Sequence, residues 1–66
     1  ELMRRMEAAV EKLNPEDKAL ISLYYTQDKS VSEVAAITAL TPENVKIKLF
    51  RARKKIVFLI NNEKHE

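Results

Sequence analysis

The chain has no cysteine, no glycine and no tryptophan, and only one histidine among its 66 residues. Without cysteine there is no disulfide framework, and His65 alone cannot supply a Cys/His zinc site. Without glycine there is no Gly-rich loop to cradle phosphates, and tight turns fall to Asn, Asp, Lys or Ala. The longest apolar run is the five residues from Ile56 to Ile60, far short of the roughly 18–20 that span a bilayer. Catalysis is poorly supplied as well. Ser30 and Ser32 have no histidine near them, and the carboxylates are scattered at helix starts, where capping explains them. Acid–base and nucleophilic chemistry need groups held in mutual reach. The expectations are therefore no enzyme, no cofactor, no metal and no membrane partner.

What is present is charge, unevenly placed. The net charge of +2 says little, but its distribution says more. Between Asn44 and Ile56 lie Lys46, Lys48, Arg51, Arg53, Lys54 and Lys55, with no acid among them. A local basic block in a near-neutral chain is an electrostatic footprint for nucleic acid; the plainer alternative is a solvated helix face. At this length the chain is one small domain with a modest core. It opens on Glu rather than Met, and is read as a domain cut from a longer chain. The absence of cysteine suits a reducing cytoplasm.

The periodicity is helical throughout. Leu2, Met3, Met6, Ala9, Val10 and Leu13 form an apolar stripe at helical spacing. Asn14-Pro15-Glu16-Asp17 is a helix start, with a cap, a first-turn proline and two acids at the positive end of the dipole. That helix runs through Leu20 and Ile21 to about Thr26, where one ring of the Tyr24-Tyr25 pair packs in the core and the other covers its edge. Ser30-Val31-Ser32-Glu33 fits a capping box. Val34, Ala35 and Ile37 face inward behind it, and Thr38-Ala39-Leu40 makes a turn with Leu40 as an apolar plug. Thr41-Pro42-Glu43-Asn44 opens the last helix in the same way as Asn14 and Pro15 open theirs. At about 100° per residue, Val45, Leu49, Ala52, Ile56, Leu59 and Ile60 share one face. Glu43, Lys46, Ile47, Phe50, Arg51 and Lys54 lie opposite, with Val57 and Phe58 off the stripe. The tail from Asn61 to Glu66 should fray. Four helices, with no strand signal, predict an all-α four-helix domain that contains a helix-turn-helix and no wing.

A helix-turn-helix reads DNA by laying its second helix in the major groove, braced by the first. The Ser30–Ile56 unit supplies both helices. Lys46 and Arg51 are spaced to reach base edges or phosphates, and Arg grips guanine in a bidentate way that Lys does not match. Lys48, Arg53, Lys54 and Lys55 suit phosphates. Ile47 and Phe50 on the outer face suit thymine methyls or a protein.

The run Ser30-x-x-Glu33-Val34-Ala35, then Leu40-Thr41, Val45-Lys46 and Leu49-Phe50-Arg51-Ala52-Arg53-Lys54-Lys55-Ile56, resembles region 4 of bacterial RNA polymerase sigma factors. The likeness is greatest to the extracytoplasmic-function group. Upstream, Leu13-Asn14-Pro15-Glu16-Asp17-Lys18 is similar to that family's Leu-Pro-x-x-x-Arg helix start. The resemblance covers nearly the whole chain, and Arg51-Ala52-Arg53 after Val45-Lys46 is its most specific part. It implies a four-helix domain that binds double-stranded promoter DNA at the −35 element, docks on the β flap of the RNA polymerase core, and is masked by anti-sigma factors. Carried over by position, it puts Lys46, Ile47, Phe50 and Arg51 at the −35 element and Thr41, Pro42, Glu43 and Asn44 at the phosphate backbone. Ala39 departs from the family's usual Gly in the turn, Ile47 from a small polar residue and Lys48 from Arg. Two other readings stay open: a dimeric helix-turn-helix regulator of another class, and a protein-interaction module that has lost DNA reading.

Overall fold

The computed structural model describes residues 2–63. Among them are four α-helices and no strand: α1 (Leu2–Glu11), α2 (Pro15–Ile21), α3 (Val31–Thr38) and α4 (Pro42–Glu63). A π-helical turn, Ser22–Thr26, extends α2. This is the all-α architecture that the periodicity predicts.

The helix starts are where the capping signals place them. The Asn14 side chain accepts from the Asp17 N–H at 2.8 Å, with Pro15 in the first turn. The Thr41 hydroxyl accepts from the Asn44 N–H at 3.1 Å, ahead of Pro42. Ser30 and Glu33 close a reciprocal box: the Glu33 N–H donates to the Ser30 hydroxyl at 3.1 Å, and the Ser30 N–H to the Glu33 carboxylate at 2.8 Å. Each satisfies backbone donors that a helix start otherwise leaves without a partner.

The Ser30 backbone N–H, then the Ser30 hydroxyl, hold the Glu33 carboxyl below its ordinary pKa. A carboxyl so lowered in the fold adds stability above its unfolded pKa, and that share is lost as pH falls through the folded value. Glu33→Gln keeps an acceptor for the Ser30 N–H but cannot titrate. The acid-side fall in melting temperature should therefore be shallower in Glu33→Gln than in the parent. Equal slopes through the carboxylate range would remove Glu33 from the acid response.

The core gathers Ala9, Leu13, Leu20, Ile21, Val34, Ala35, Val45, Leu49, Ala52 and Ile56. On α4 the buried stripe is the expected one, with Leu59 and Ile60 half-buried at its end. Tyr24 packs against the core, and the exposed Tyr25 meets it edge-on, with ring centroids 4.9 Å apart.

Four expectations are corrected. Met3 is 73 % exposed and Met6 is also on the surface, so α1 buries only the C-terminal part of its stripe. The helix itself stops at Glu11, and the chain tightens through Leu13 N–H to Val10 C=O at 3.0 Å to reach the Asn14 cap. Ile37 is 57 % exposed instead of inward. Three residues past Val34 it has advanced roughly 300°, onto the flank away from Ala35, and one position on, the Thr38 hydroxyl donates to the Val34 carbonyl at 2.7 Å. Asn61 to Glu63 continue α4 instead of fraying. Residues 64–66, His65 among them, lie outside the described residues.

The turn between α3 and α4 is made by Ala39 in the left-handed region, φ 62° and ψ 29°. The Leu40 N–H then returns to the Ala35 carbonyl at 3.0 Å, closing α3 in the Schellman manner, and Leu40 packs against the core as the expected plug. A left-handed residue with a Cβ costs roughly 1–2 kcal/mol, and glycine escapes that cost. Ala39→Gly should stabilise the fold by about 1 kcal/mol, raising the melting temperature by about 4–8 °C. A lower melting temperature in that variant would show that the strain at Ala39 is smaller than the unfolded-state entropy that glycine adds.

Candidate nucleic-acid interface

The sequence of α3, corner and α4 fixes what faces outward. Val34 and Ala35 anchor α3, Leu40 plugs the corner, and Val45, Leu49 and Ala52 seat the first half of α4. With that stripe inward, Lys46, Ile47, Phe50, Arg51 and Lys54 are all exposed along α4. Thr41, Pro42, Glu43 and Asn44 are exposed at its start, where the first backbone N–H groups and the positive end of the helix dipole lie. The Thr41 hydroxyl is already taken by the Asn44 N–H.

The six cations of the basic block do not behave alike. Lys48 lies 3.5 Å from the Glu16 carboxylate, and Lys55 lies 2.9 Å from that of Asp17. Asp17 is the one buried charged residue among those described, 7 % exposed. The Arg53 guanidinium donates to the Tyr25 hydroxyl. Lys54 stands over the Phe50 ring, 5.3 Å from its centre. Lys46 and Arg51 form no ion pair with the described residues.

By spacing alone Lys48, Arg53, Lys54 and Lys55 suit phosphates alike; in the fold, three of these meet side chains of α2 and its π-helical extension. The partners Glu16, Asp17 and Tyr25 were not legible as such. Glu16 and Asp17 read as ordinary first-turn acids, and the Asp17–Lys55 pair spans 38 positions with no periodic signature.

Two apolar surfaces accompany the basic face. Phe50, Val57 and Phe58 line a shallow hollow with Arg53 and Lys54, and Phe58 is 63 % exposed. Adjoining it through Arg53 and Val57, an open groove of about 750 Å³ between α1, α2 and the second half of α4 is lined by Met3, Met6, Val10, Ile21, Ile56 and Ile60. The exposed methionines, which helix packing does not explain, are part of that groove's wall. No group of three or more His, Cys, Asp or Glu side chains converges on a point among the described residues. No described helix is long and apolar enough to cross a membrane.

The family model described as Sigma-70, region 4 matches residues 3–56. No curated protein and no solved structure matches the chain.

Proposed function

The chain belongs to the Sigma-70 region 4 family, and on that premise we propose that it serves as the C-terminal DNA-binding domain of a sigma factor. In this role it reads the −35 element of promoters and docks on the β flap of the RNA polymerase core during transcription initiation in the cytoplasm. The observation that carries the reading is the outward face of α4. It presents Lys46, Arg51 and Lys54 without an acid beyond Glu43, at the end of a helix-turn-helix whose corner is closed by Ala39 and Leu40. A helix so braced enters the major groove by its N-terminal half. Lys46, Ile47, Phe50 and Arg51 then meet base edges, Lys54 meets phosphate, and Thr41 to Asn44 lie along the backbone. The methionine-lined groove gives polymerase a docking site away from the DNA face, since flexible thioethers adapt to an apolar partner. An anti-sigma factor would cover either surface.

A second reading is favoured by the exposed rings of Phe50 and Phe58 and by Val57 beside them. Contiguous apolar surface of this kind marks protein contact, and it supports an interaction module that has lost DNA reading. Both readings meet in one experiment: selection of a random duplex library by the purified chain at low salt, followed by sequencing. A single non-palindromic motif is expected, bound with a steep loss of affinity as salt rises. A palindromic motif would indicate a dimeric regulator, and binding with no enriched sequence would defeat the proposal that this chain reads bases.

A further inference from the structure

Three contacts run from one element, α2 with its π-helical extension, to α4, and they fall on both flanks of the buried stripe. With Val45 at zero and about 100° per residue, Lys48 and Lys55 lie at roughly 300° and 280°, and Arg53 at roughly 80°. Glu16 and Asp17, at the start of α2, hold the first flank at 3.5 and 2.9 Å. Tyr25, in the π-helical turn that follows α2, holds the second through its hydroxyl. Between the flanks lies Ala52, fully buried and small enough for close packing.

We propose that Glu16, Asp17 and Tyr25 are positioning residues for DNA reading: they lock the roll of α4 about its own axis and keep Lys48 and Lys55 off the phosphates. This rests on the DNA-reading function proposed above. An apolar stripe alone is a weak brake on roll, because packing among aliphatic groups is non-directional. Ion pairs and a hydrogen bond on opposite flanks resist rotation in both senses. Asp17 is the firmest of the three, since its carboxylate is nearly buried while its backbone N–H is fixed by Asn14. A roll of roughly 10° carries a side-chain end about 6 Å from the axis through about 1 Å, beyond the tolerance of a bidentate contact. Sequence preference therefore depends on residues that touch no base.

The same pairs set the charge count. Each cation that reaches a phosphate adds about 0.9 to the slope of log affinity against log salt. With Lys48 and Lys55 held by α2, the slope comes from the remaining cations. Freeing the two lysines adds charge to the DNA contact without adding any residue to it.

The test compares the parent chain with Glu16→Gln/Asp17→Asn and with Lys48→Gln/Lys55→Gln. Each binds two duplexes of equal length, the site enriched from the library and a scrambled one, over a salt series, and circular dichroism checks helicity. The carboxylate variant should lose about tenfold in the ratio of specific to scrambled affinity, while its slope on scrambled DNA steepens by up to about 1.8. The lysine variant breaks the same pairs without freeing a cation. Its ratio should fall alike and its slope stay at the parent value, a combination that simple destabilisation does not produce. Tyr25→Phe frees the Arg53 guanidinium, so it should lower the ratio and steepen the slope on scrambled DNA by up to about 0.9. A parent chain that binds the enriched site, beside variants whose ratios and slopes match it, overturns the roll lock alone. A parent chain that binds no duplex overturns the DNA-reading function and the lock together.

Discussion

Leu20→Ala should remove about 3 kcal/mol of unfolding free energy and lower the melting temperature by more than about 10 °C. Leu20 is 1 % exposed and is among the largest fully buried side chains, with Val34 and Val45. It lies on α2, the helix that packs on α4 and also carries the acids paired with Lys48 and Lys55. Truncating a buried leucine removes its transfer free energy and leaves a cavity, and the two together cost about 2–5 kcal/mol. A domain of this length holds only about 3–10 kcal/mol in total. One methyl-rich side chain is thus a large share of the whole, and with no cysteine in the chain no disulfide offsets its loss. Ile37→Ala is the natural control. Ile37 is of similar size but exposed, so its loss should stay within about 0.5 kcal/mol. Urea denaturation followed by far-UV circular dichroism measures both variants. If Leu20→Ala cost less than about 1 kcal/mol, or no more than Ile37→Ala, then α2 would not be packed as described and the placement of Glu16 and Asp17 on α4 would lose its basis.

What the sequence made legible follows from the range of each signal. Capping is local: Asn14, Ser30 and Thr41 declare helix starts within three residues, and all three caps are formed. The stripe on α4 is legible because 22 residues give several turns in which the period cannot drift unnoticed. In α3, with 8 residues, two turns leave one apolar position ambiguous: the pattern alone puts Ile37 inward, whereas the fold exposes it. Met3 and Met6 fit the period of α1 yet stay exposed, because nothing described covers that end of the helix. The π-helical turn left no mark in the residue pattern. The outward position of Lys46, Arg51 and Lys54 was legible from angle alone, whereas the partners of Lys48, Arg53 and Lys55 depend on how helices meet. Side-chain pairing across 28 or 38 positions is a tertiary event, and no one-dimensional period encodes it.

Arg51→Ala should weaken binding to the cognate duplex by about 1–3 kcal/mol and relax sequence preference at one position of the site. Arg51 is exposed on the outer face of α4 and has no ion-pair partner among the described residues, so entering a groove as proposed would break no ion pair of the fold. Lys54 is the comparison. It leans over Phe50, further along the helix than Arg51, and the proposed binding mode puts it on phosphate. Lys54→Ala should weaken specific and scrambled duplexes equally and lower the salt slope by about 0.9. The more searching change is Arg51→Lys, which keeps the charge but discards the planar fork that matches the two acceptors of guanine. If Arg51 reads a base, Arg51→Lys should keep the parent salt slope and lose most of the preference. If Arg51→Lys binds the cognate site as the parent does, Arg51 is a phosphate contact, and base reading passes to Lys46, Ile47 and Phe50 on the same face. Because charge is constant in that substitution, the geometry of the head group is the only thing measured.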